Sequence, residues 1–237
     1  MRVFKFGGAS VKDSESVRNI PKILSGYRGE KLVVIISAMG KTTNALEAIT
    51  RAAYDNDAKA EQLFQNLYDY HMQIARELFP DEKHEIFTQL ESLFDDLRSW
   101  MEVLAGKERE LTYDMYYDQM VPVGELLSTR IVSNHLQEEG IGNTWLDARE
   151  MIITDNTYRD AVIDWQRTHD KIMEKTGNAW KDSNIVVSQG FIGHNGEYST
   201  TLGREGSDFS AAIFANVLDA EEVVVWKDVP GYLNADP

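Results

Sequence analysis

The sequence predicts a mixed α/β domain built on a largely parallel sheet, and three patterns support this prediction. The first is a pair of strand–loop–helix units at the N-terminus, the arrangement that right-handed crossovers produce in parallel sheets. The second is a continuous β-branched run over residues 31–37, which is typical of a strand buried on both faces. The third is a pair of long amphipathic patterns within residues 57–106, which predicts an inserted helical hairpin.

The two N-terminal units are short and well delimited. A strand over residues 3–6 precedes a helix whose N-cap is Asp13 or Ser14. The strand over 31–37 leads through a loop of small residues, 37–44, into a second helix. Both loops therefore follow a strand and precede a helix.

The predicted hairpin consists of two helical patterns separated by a turn. Apolar residues recur at helical spacing over 63–78 and again over 86–104, and the turn at Pro80-Asp81 lies between them. The turn favours packing of the two helices on each other within the chain. A coiled-coil dimer is the competing interpretation.

The second half of the chain adds elements of both kinds. In chain order we predict a helix over residues 124–139, strands over 143–146 and 184–188, a hairpin over 191–200, a helix from the 203–208 loop to about residue 218, and a strand over 222–226.

Composition excludes several classes of function. The chain has 24 Lys and Arg against 39 Asp and Glu, a net charge of −15, so binding to nucleic acid or to an anionic membrane is not expected. It has no cysteine, which excludes disulfides, cysteine-ligated metals and thiol nucleophiles. Its longest apolar run is far shorter than the roughly 20 residues of a membrane span, and no signal peptide is evident. We therefore expect a cytoplasmic protein.

Three polar, glycine-containing loops carry the candidate chemistry. They cover residues 7–10, 37–44 and 203–208, and each leads into a helix. Such loops present backbone N–H groups and a helix N-terminus to an anion, and in a parallel sheet they converge at the carboxyl edge. Taken singly, each loop is equally well explained as a tight turn or a helix cap.

Five segments resemble the signatures of aspartate kinases. They are residues 5–11 (KFGGASV, similar to KFGGTSV), 37–44 (SAMGKTTN), 123–128 (VGELLS, similar to VGE-x-LS), 200–208 (TTLGREGSD, similar to TTLGRGGSD) and 226–231 (WKDVPG, similar to WTDVPG). The resemblance implies the amino acid kinase fold, a three-layer sandwich with a central, mostly parallel sheet between helices. Glu205 stands where the signature has a glycine.

The resemblance also implies a reaction and a set of residues for it. The γ-phosphate of ATP would pass to the β-carboxylate of L-aspartate, giving 4-phospho-L-aspartate and ADP, with Lys5 and Asp208 as the catalytic residues. The residues implied in aspartate binding are Ser37, Thr43, Glu125, Arg204 and Ser207. Those implied in ATP or phosphate binding are Lys5, Gly7, Gly8, Ser10, Lys227, Asp228, Tyr232 and Leu233.

The same resemblance sets expectations for cofactors, partners and domains. ATP would carry Mg²⁺ on its phosphates, with no metal site made by the protein alone. A homodimer is one candidate assembly, and the sequence leaves the oligomeric state open. Residues 1–237 would form a catalytic domain that is incomplete at its C-terminus, with the insertion at 57–106, an acceptor lobe over 1–200 and the start of an ATP lobe over 201–237. Family members continue past residue 237 through further nucleotide-binding residues into regulatory ACT domains, so the ATP lobe would be incomplete here and we expect this chain to be weakly active or inactive.

Two other functions remain open from the sequence. One is a different amino acid kinase, of the glutamate or acetylglutamate type. The other is a non-catalytic domain that binds aspartate or nucleotide, for which the hairpin would offer a partner surface.

Overall fold

A parallel sheet lies at the centre of the structure, a computed structural model that describes residues 1–106 and 112–227. In chain order the strands are β1 (Arg2–Phe6), β2 (Leu32–Ile36), β3 (Thr144–Leu146), β4 (Ile185–Gln189), β5 (Ile192–His194), β6 (Ser199–Thr201) and β7 (Glu222–Trp226). Five of them form the sheet in the order β3-β4-β2-β1-β7, and every pairing in it is parallel. β5 and β6 pair separately as an antiparallel hairpin.

Helices cover both faces of this sheet. They are α1 (Ser14–Leu24), α2 (Thr42–Tyr54), α3 (Lys59–Leu78), α4 (Glu85–Ala105), α5 (Tyr113–Met120), α6 (Val123–Glu138), α7 (Trp165–Ala179) and α8 (Gly206–Val217). No helix within residues 1–106 and 112–227 has both the length and the apolar composition needed to cross a membrane.

The alternation of side chains along β2 shows why there are three layers. All five residues of β2 are buried. Leu32, Val34 and Ile36 belong to a hydrophobic cluster with residues of α1 to α4 and α6. Val33 and Ile35 belong to a second cluster, on the other face, with residues of α7 and α8. The predicted three-layer sandwich with a mostly parallel sheet is confirmed, and β2 is its fully buried central strand.

The predicted helical hairpin is present and packs within the chain. α3 and α4 run antiparallel, since Phe64 meets Phe94 with ring centroids 5.8 Å apart and Arg98 forms two hydrogen bonds with Glu61, of 2.9 and 3.0 Å. Both helices contribute to the same hydrophobic cluster as α1, α2 and α6. The hairpin is therefore continuous with the core of one chain, and self-packing prevails over the coiled-coil interpretation.

The sequence patterns missed two helices, α5 and α7. The inward face of α7 consists of Thr168, Ile172, Thr176 and Ala179, so the i, i+4 stripe that it buries is largely made of small or polar residues. α5 buries a run of adjacent residues, from Tyr116 to Met120, instead of a single stripe. Neither helix therefore has the hydrophobic periodicity by which amphipathic helices are recognised.

Candidate active site

A cavity of about 530 Å³ opens at the carboxyl edge of the parallel sheet. The loops after β1, β2 and β6 meet there with the beginning of α6, as expected where parallel strands end at one edge. The predicted site residues that line it are Lys5, Gly8, Ser37, Thr43, Glu125, Arg204, Ser207 and Asp208. Residues that are far apart in the sequence thus line one cavity.

Lys5 and Asp208 form an ion pair at this cavity. Lys5 is near the end of β1, and its side chain is only 7% exposed; Nζ lies 2.6 Å from Oδ1 of Asp208. Asp208 is in the first turn of α8, where the helix dipole favours a carboxylate. A buried ammonium group requires such a partner to offset its loss of hydration. The pair holds the ammonium group of Lys5 at the carboxyl edge of the sheet.

Glu125 is a buried carboxyl group that lacks a second partner. It lies in the first turn of α6, and Oε1 accepts a hydrogen bond of 3.2 Å from the backbone N–H of Ala38. Oε2 is also buried and has no hydrogen-bond partner among the residues described. Burial raises the pKa of Glu125 to about 8, and the hydrogen bond from Ala38 opposes this shift only in part. A cationic group in the cavity would supply the missing partner.

The loop after β2 is fixed on both sides by backbone hydrogen bonds. The N–H of Ser37 donates to the carbonyl of Phe6 over 3.1 Å, and the carbonyl of Ser37 accepts from the hydroxyl of Ser128 over 2.9 Å. Thr43 follows in the first turn of α2 and is partly exposed in the cavity wall. The loop therefore presents its hydroxyl groups from a rigid position between β1 and α6.

Gly8 allows the first two loops to approach each other closely. The N–H of Gly40 donates to the carbonyl of Gly8 over 2.9 Å. A Cβ atom at Gly8 would lie 2.7 Å from the carbonyl oxygen of Ala38, so no other residue fits without a shift of the backbone. The glycine is thus explained by contact between the loops, and phosphate binding by its N–H group remains a prediction.

The third loop has two unusual features where it enters α8. Glu205 has a left-handed conformation, with φ of +57°, and Gly206 follows it at the start of the helix. A Cβ atom at Gly206 would lie 2.7 Å from Cδ2 of Phe191. Arg204, just before this turn, is exposed and forms no ion pair with any residue in the described ranges. Arg204 lines the cavity together with Glu125 and Lys5.

Several predicted phosphate-binding residues lie beside the cavity instead of lining it. Gly7 and Ser10 both bind the carbonyl of Trp226, through the N–H of Gly7 at 3.2 Å and the hydroxyl of Ser10 at 3.1 Å. Nζ of Lys227 is 3.9 Å from Oδ2 of Asp208, which brings a second cation to that carboxylate. The remaining predicted nucleotide residues, Asp228, Tyr232 and Leu233, lie outside the described residues.

The sequence did not single out three further residues that line the cavity, which are Glu47, Tyr117 and Arg159. The Tyr117 hydroxyl donates to Oε1 of Glu47 over 2.5 Å, and burial together with this bond raises the pKa of the tyrosine. Behind them Asp118 is fully buried, and burial raises its pKa to about 6. An aspartate directly after two tyrosines is the sequence feature that could have drawn attention to this group.

No group of three or more His, Asp or Glu side chains that would hold a metal ion occurs in the ranges 1–106 and 112–227. The charged residues that line the cavity include both cations and carboxylates. Such a set is complementary to a small ligand that carries charges of both signs.

Comparison with known proteins agrees with the fold and the motifs. The sequence profile of the amino acid kinase family matches residues 1–237. The chain is 33% identical over 250 residues to aspartokinase 2 of Arabidopsis thaliana, a chloroplastic protein, with 99% of this chain and 43% of that protein covered. It is 31% identical over 239 residues to the bifunctional aspartokinase/homoserine dehydrogenase 1 of Zea mays, also chloroplastic, with 99% and 25% covered.

Solved structures of one bacterial protein show the same architecture. Escherichia coli aspartokinase III in complex with lysine and aspartate superposes with a TM-score of 0.86 at 27% identity, covering 98% of this chain and 50% of that one. The same protein in complex with aspartate and ADP gives a TM-score of 0.84 over the same shares. The chain thus spans between a quarter and a half of the length of these relatives.

Proposed function

This chain belongs to the amino acid kinase family, and we propose that it transfers the γ-phosphate of ATP to the β-carboxylate of L-aspartate, giving 4-phospho-L-aspartate and ADP. The observation that carries the proposal is the lining of one cavity, which includes the side chains of Glu125, Arg204 and Lys5, and Oε2 of Glu125 is buried without a partner among the described residues. Aspartate carries one cation and two carboxylates, which are complementary to these three groups.

In the proposed complex, Glu125 binds the ammonium group of aspartate and Arg204 binds its α-carboxylate. A guanidinium group pairs with a carboxylate through two parallel hydrogen bonds, which fixes orientation as well as position. The hydroxyl groups of Ser37, Thr43 and Ser207 supply neutral hydrogen bonds around the ligand. With both ends of the amino acid held, its β-carboxylate is directed towards Lys5.

The chemistry requires positioning and neutralisation of charge more than proton transfer. A carboxylate is already ionised at pH 7, with an ordinary pKa near 3.9, so the nucleophile needs no general base. Lys5 would stabilise the negative charge on the transferred phosphoryl group, and Asp208 would hold the lysine in place. Backbone N–H groups of the loop at Gly8 would add hydrogen bonds to the phosphoryl oxygens.

ATP is the proposed phosphoryl donor, supported by the family and by the ADP bound to E. coli aspartokinase III. Gly7, Ser10 and Lys227 would border its phosphates, since they meet at the end of β7. Mg²⁺ on the ATP phosphates would supply further neutralisation of charge; it prefers oxygen ligands, and the carboxylates of Asp208 and Glu205 offer that donor type at the cavity.

A direct assay tests this function. We expect ADP to form from ATP and L-aspartate, and hydroxylamine to trap the acyl phosphate as aspartyl hydroxamate. L-glutamate, N-acetyl-L-glutamate, carbamate and UMP serve as competing acceptors, and calorimetry measures aspartate binding independently of turnover. Turnover with one of the other acceptors in place of aspartate would contradict the proposal. Aspartate binding without turnover, in a chain extended beyond residue 237, would favour a non-catalytic domain.

Two broader expectations accompany this proposal. The homodimer stays a prediction, which sedimentation velocity of the purified protein tests. The cytoplasm stays the proposed location, although the plant relatives are described as chloroplastic; fractionation of cells expressing the native protein distinguishes the two.

A further inference from the structure

Arg159 is held in a backbone conformation that arginine seldom adopts. Its φ is +67°, in the left-handed region that favours glycine. Its N–H donates to Oδ2 of Asp118 over 3.0 Å, and the same carboxylate accepts from the N–H and the hydroxyl of Thr201 over 2.9 and 2.7 Å. The buried aspartate thus fixes the strained residue against β6. Strain of this kind persists where the surroundings impose it, and it is concentrated at functional sites.

The side chain of Arg159 lies on the cavity wall, with its guanidinium in a defined position. The guanidinium carbon is 4.4 Å from the ring centroid of Tyr117, and Nη1 lies 3.2 Å from Oδ1 of Asp114. The tyrosine is itself held by its hydrogen bond to Glu47. The side chain of Arg159 remains 48% exposed and lines the cavity. A guanidinium group has five N–H donors, so the bond to Asp114 leaves donors for a ligand.

The segment that carries Arg159 packs directly against the loop that carries Arg204. Gly203 also has a left-handed backbone, with φ of +75°. A Cβ atom there would lie 2.7 Å from Oδ1 of Asp160 and 3.3 Å from the carbonyl oxygen of Arg159. The two segments are therefore fixed relative to each other, and Arg159 and Arg204 line the same cavity.

We propose that Arg159 is a second carboxylate-binding residue of the acceptor site and determines its specificity for an amino acid with an intact α-carboxylate, which it holds together with Arg204. This inference rests on the proposed function. The charges support it, because the proposed ligand carries two carboxylates and the buried carboxyl of Glu125 lines the same cavity. A second cation there would offset this negative charge. Arg204 is exposed and has no ion pair among the described residues to orient it, whereas Arg159 is oriented by an aromatic ring and a carboxylate.

The test compares L-aspartate with L-aspartic acid α-amide, which keeps the β-carboxylate and the ammonium group but has no charge on the α-carbonyl group. Arg159→Gly removes the guanidinium at a φ that glycine tolerates, so the variant is expected to fold. We expect its KM for L-aspartate to rise about tenfold or more, whereas kcat and the KM for ATP change less than threefold. Its KM for the α-amide should stay within twofold of the wild-type value.

Two further variants separate the effect of the planar guanidinium group from the effect of its charge, and from the effect of removing any arginine. Arg159→Lys keeps the charge without the planar fork and should restore only part of the affinity for L-aspartate. Arg167→Ala removes an arginine that is 64% exposed on α7 and does not line the cavity, and it should leave every constant unchanged. Calorimetric titration with L-aspartate and with the α-amide repeats the comparison without turnover.

The outcomes distinguish this inference from the function on which it rests. If the wild-type protein neither binds nor phosphorylates L-aspartate, the proposed function fails and the inference fails with it. If the wild type is active but Arg159→Gly retains its KM for L-aspartate, the inference alone is overturned. An equal rise in KM for L-aspartate and the α-amide would also overturn it, because the effect would then not depend on the α-carboxylate.

Discussion

Oγ1 of Thr42 lies 3.3 Å from Nε2 of His71, which joins the helical insertion to the loop after β2. Nδ1 of the fully buried imidazole is 2.9 Å from the carbonyl oxygen of Leu67. A carbonyl only accepts, so Nδ1 carries the proton and Nε2 accepts from the threonine hydroxyl. Thr42 is the first residue of α2 and precedes Thr43 of the candidate site. The contact therefore couples the folding of the insertion to the position of a loop that lines the candidate site.

This contact predicts a loss of stability in mild acid. Burial lowers the pKa of His71 from 6.5 to about 4. Between pH 6.5 and pH 4 the unfolded chain therefore binds a proton at this residue that the folded chain does not bind. The free energy of unfolding should fall as the pH decreases from 6.5 to 4, by roughly 2 kcal/mol at pH 5 for this group, and the group should have no effect above 6.5. Urea unfolding at pH 7 and pH 5 measures the slope.

The matched variants are His71→Gln and His169→Gln. His169 is exposed on α7, so His169→Gln serves as the control for replacing a histidine at the surface. His71→Gln removes the titrating group and should flatten the slope between pH 7 and pH 5, although it lowers stability at pH 7. Identical slopes in the wild type and in His71→Gln would show that another group is responsible.

Glu125 predicts that aspartate binding depends on pH. Its carboxyl group has a pKa of about 8 and is mostly protonated at pH 7. An ammonium group pairs with the ionised form, so binding should expel a proton, and affinity should rise up to tenfold per pH unit from pH 6 to 8 before levelling off. Calorimetry in two buffers with different ionisation enthalpies would detect the released proton. Binding enthalpies that do not depend on the buffer at pH 7 would contradict this account.

The variant Glu125→Gln should separate binding from stability. We expect aspartate affinity to fall about 100-fold, because a charge-assisted hydrogen bond is lost, and the dependence on pH to disappear. In the unfolded chain this carboxyl ionises near the ordinary value of 4.5, whereas in the folded protein its pKa is about 8, so the group lowers the stability of the unliganded protein as the pH rises between those values. Glu125→Gln should therefore unfold at higher denaturant than the wild type at pH 8, which chemical denaturation measures.

The sequence predicted what depends on periodicity and on motifs. The continuous apolar run of β2 predicted a fully buried strand, and the apolar stripes of α3 and α4 predicted helices that pack through one face. The parallel order of the strands predicted that their loops meet at one edge of the sheet. The sequence could not predict α7, whose buried face is largely threonine and alanine. Nor could it find Arg159, because a left-handed arginine over a tyrosine ring depends on tertiary contacts that leave no local pattern.

The ion pair between Lys5 and Asp208 predicts that replacing either residue lowers kcat. Lys5→Met removes the charge proposed to stabilise the transferred phosphoryl group and should lower kcat by at least about 100-fold. Asp208→Asn keeps the shape but releases the lysine, and it should lower kcat by about tenfold or more while folding is retained. Initial rates with saturating ATP and aspartate measure both. A kcat for Lys5→Met within threefold of the wild type would exclude the proposed role.

Glu205 predicts a gain in stability. Its φ of +57° places it in the left-handed region, which costs a residue with a Cβ atom roughly 1–2 kcal/mol. Glycine avoids that cost, and the aspartate kinase signature has glycine at this position. Glu205→Gly should therefore raise the free energy of unfolding by about 0.5–1 kcal/mol, since the greater entropy of the unfolded glycine offsets part of the gain. Urea unfolding at pH 7 measures the change.

A second substitution at the same position identifies the cause. Glu205→Gln removes the negative charge from the cavity wall but keeps the Cβ atom, so it should leave stability within about 0.3 kcal/mol of the wild type if backbone strain is responsible. Equal stabilisation by glycine and glutamine would instead assign the effect to charge repulsion with Asp208, which lines the same cavity. The distinction matters for function, because the turn at Glu205 sets the position of Arg204 relative to the first turn of α8.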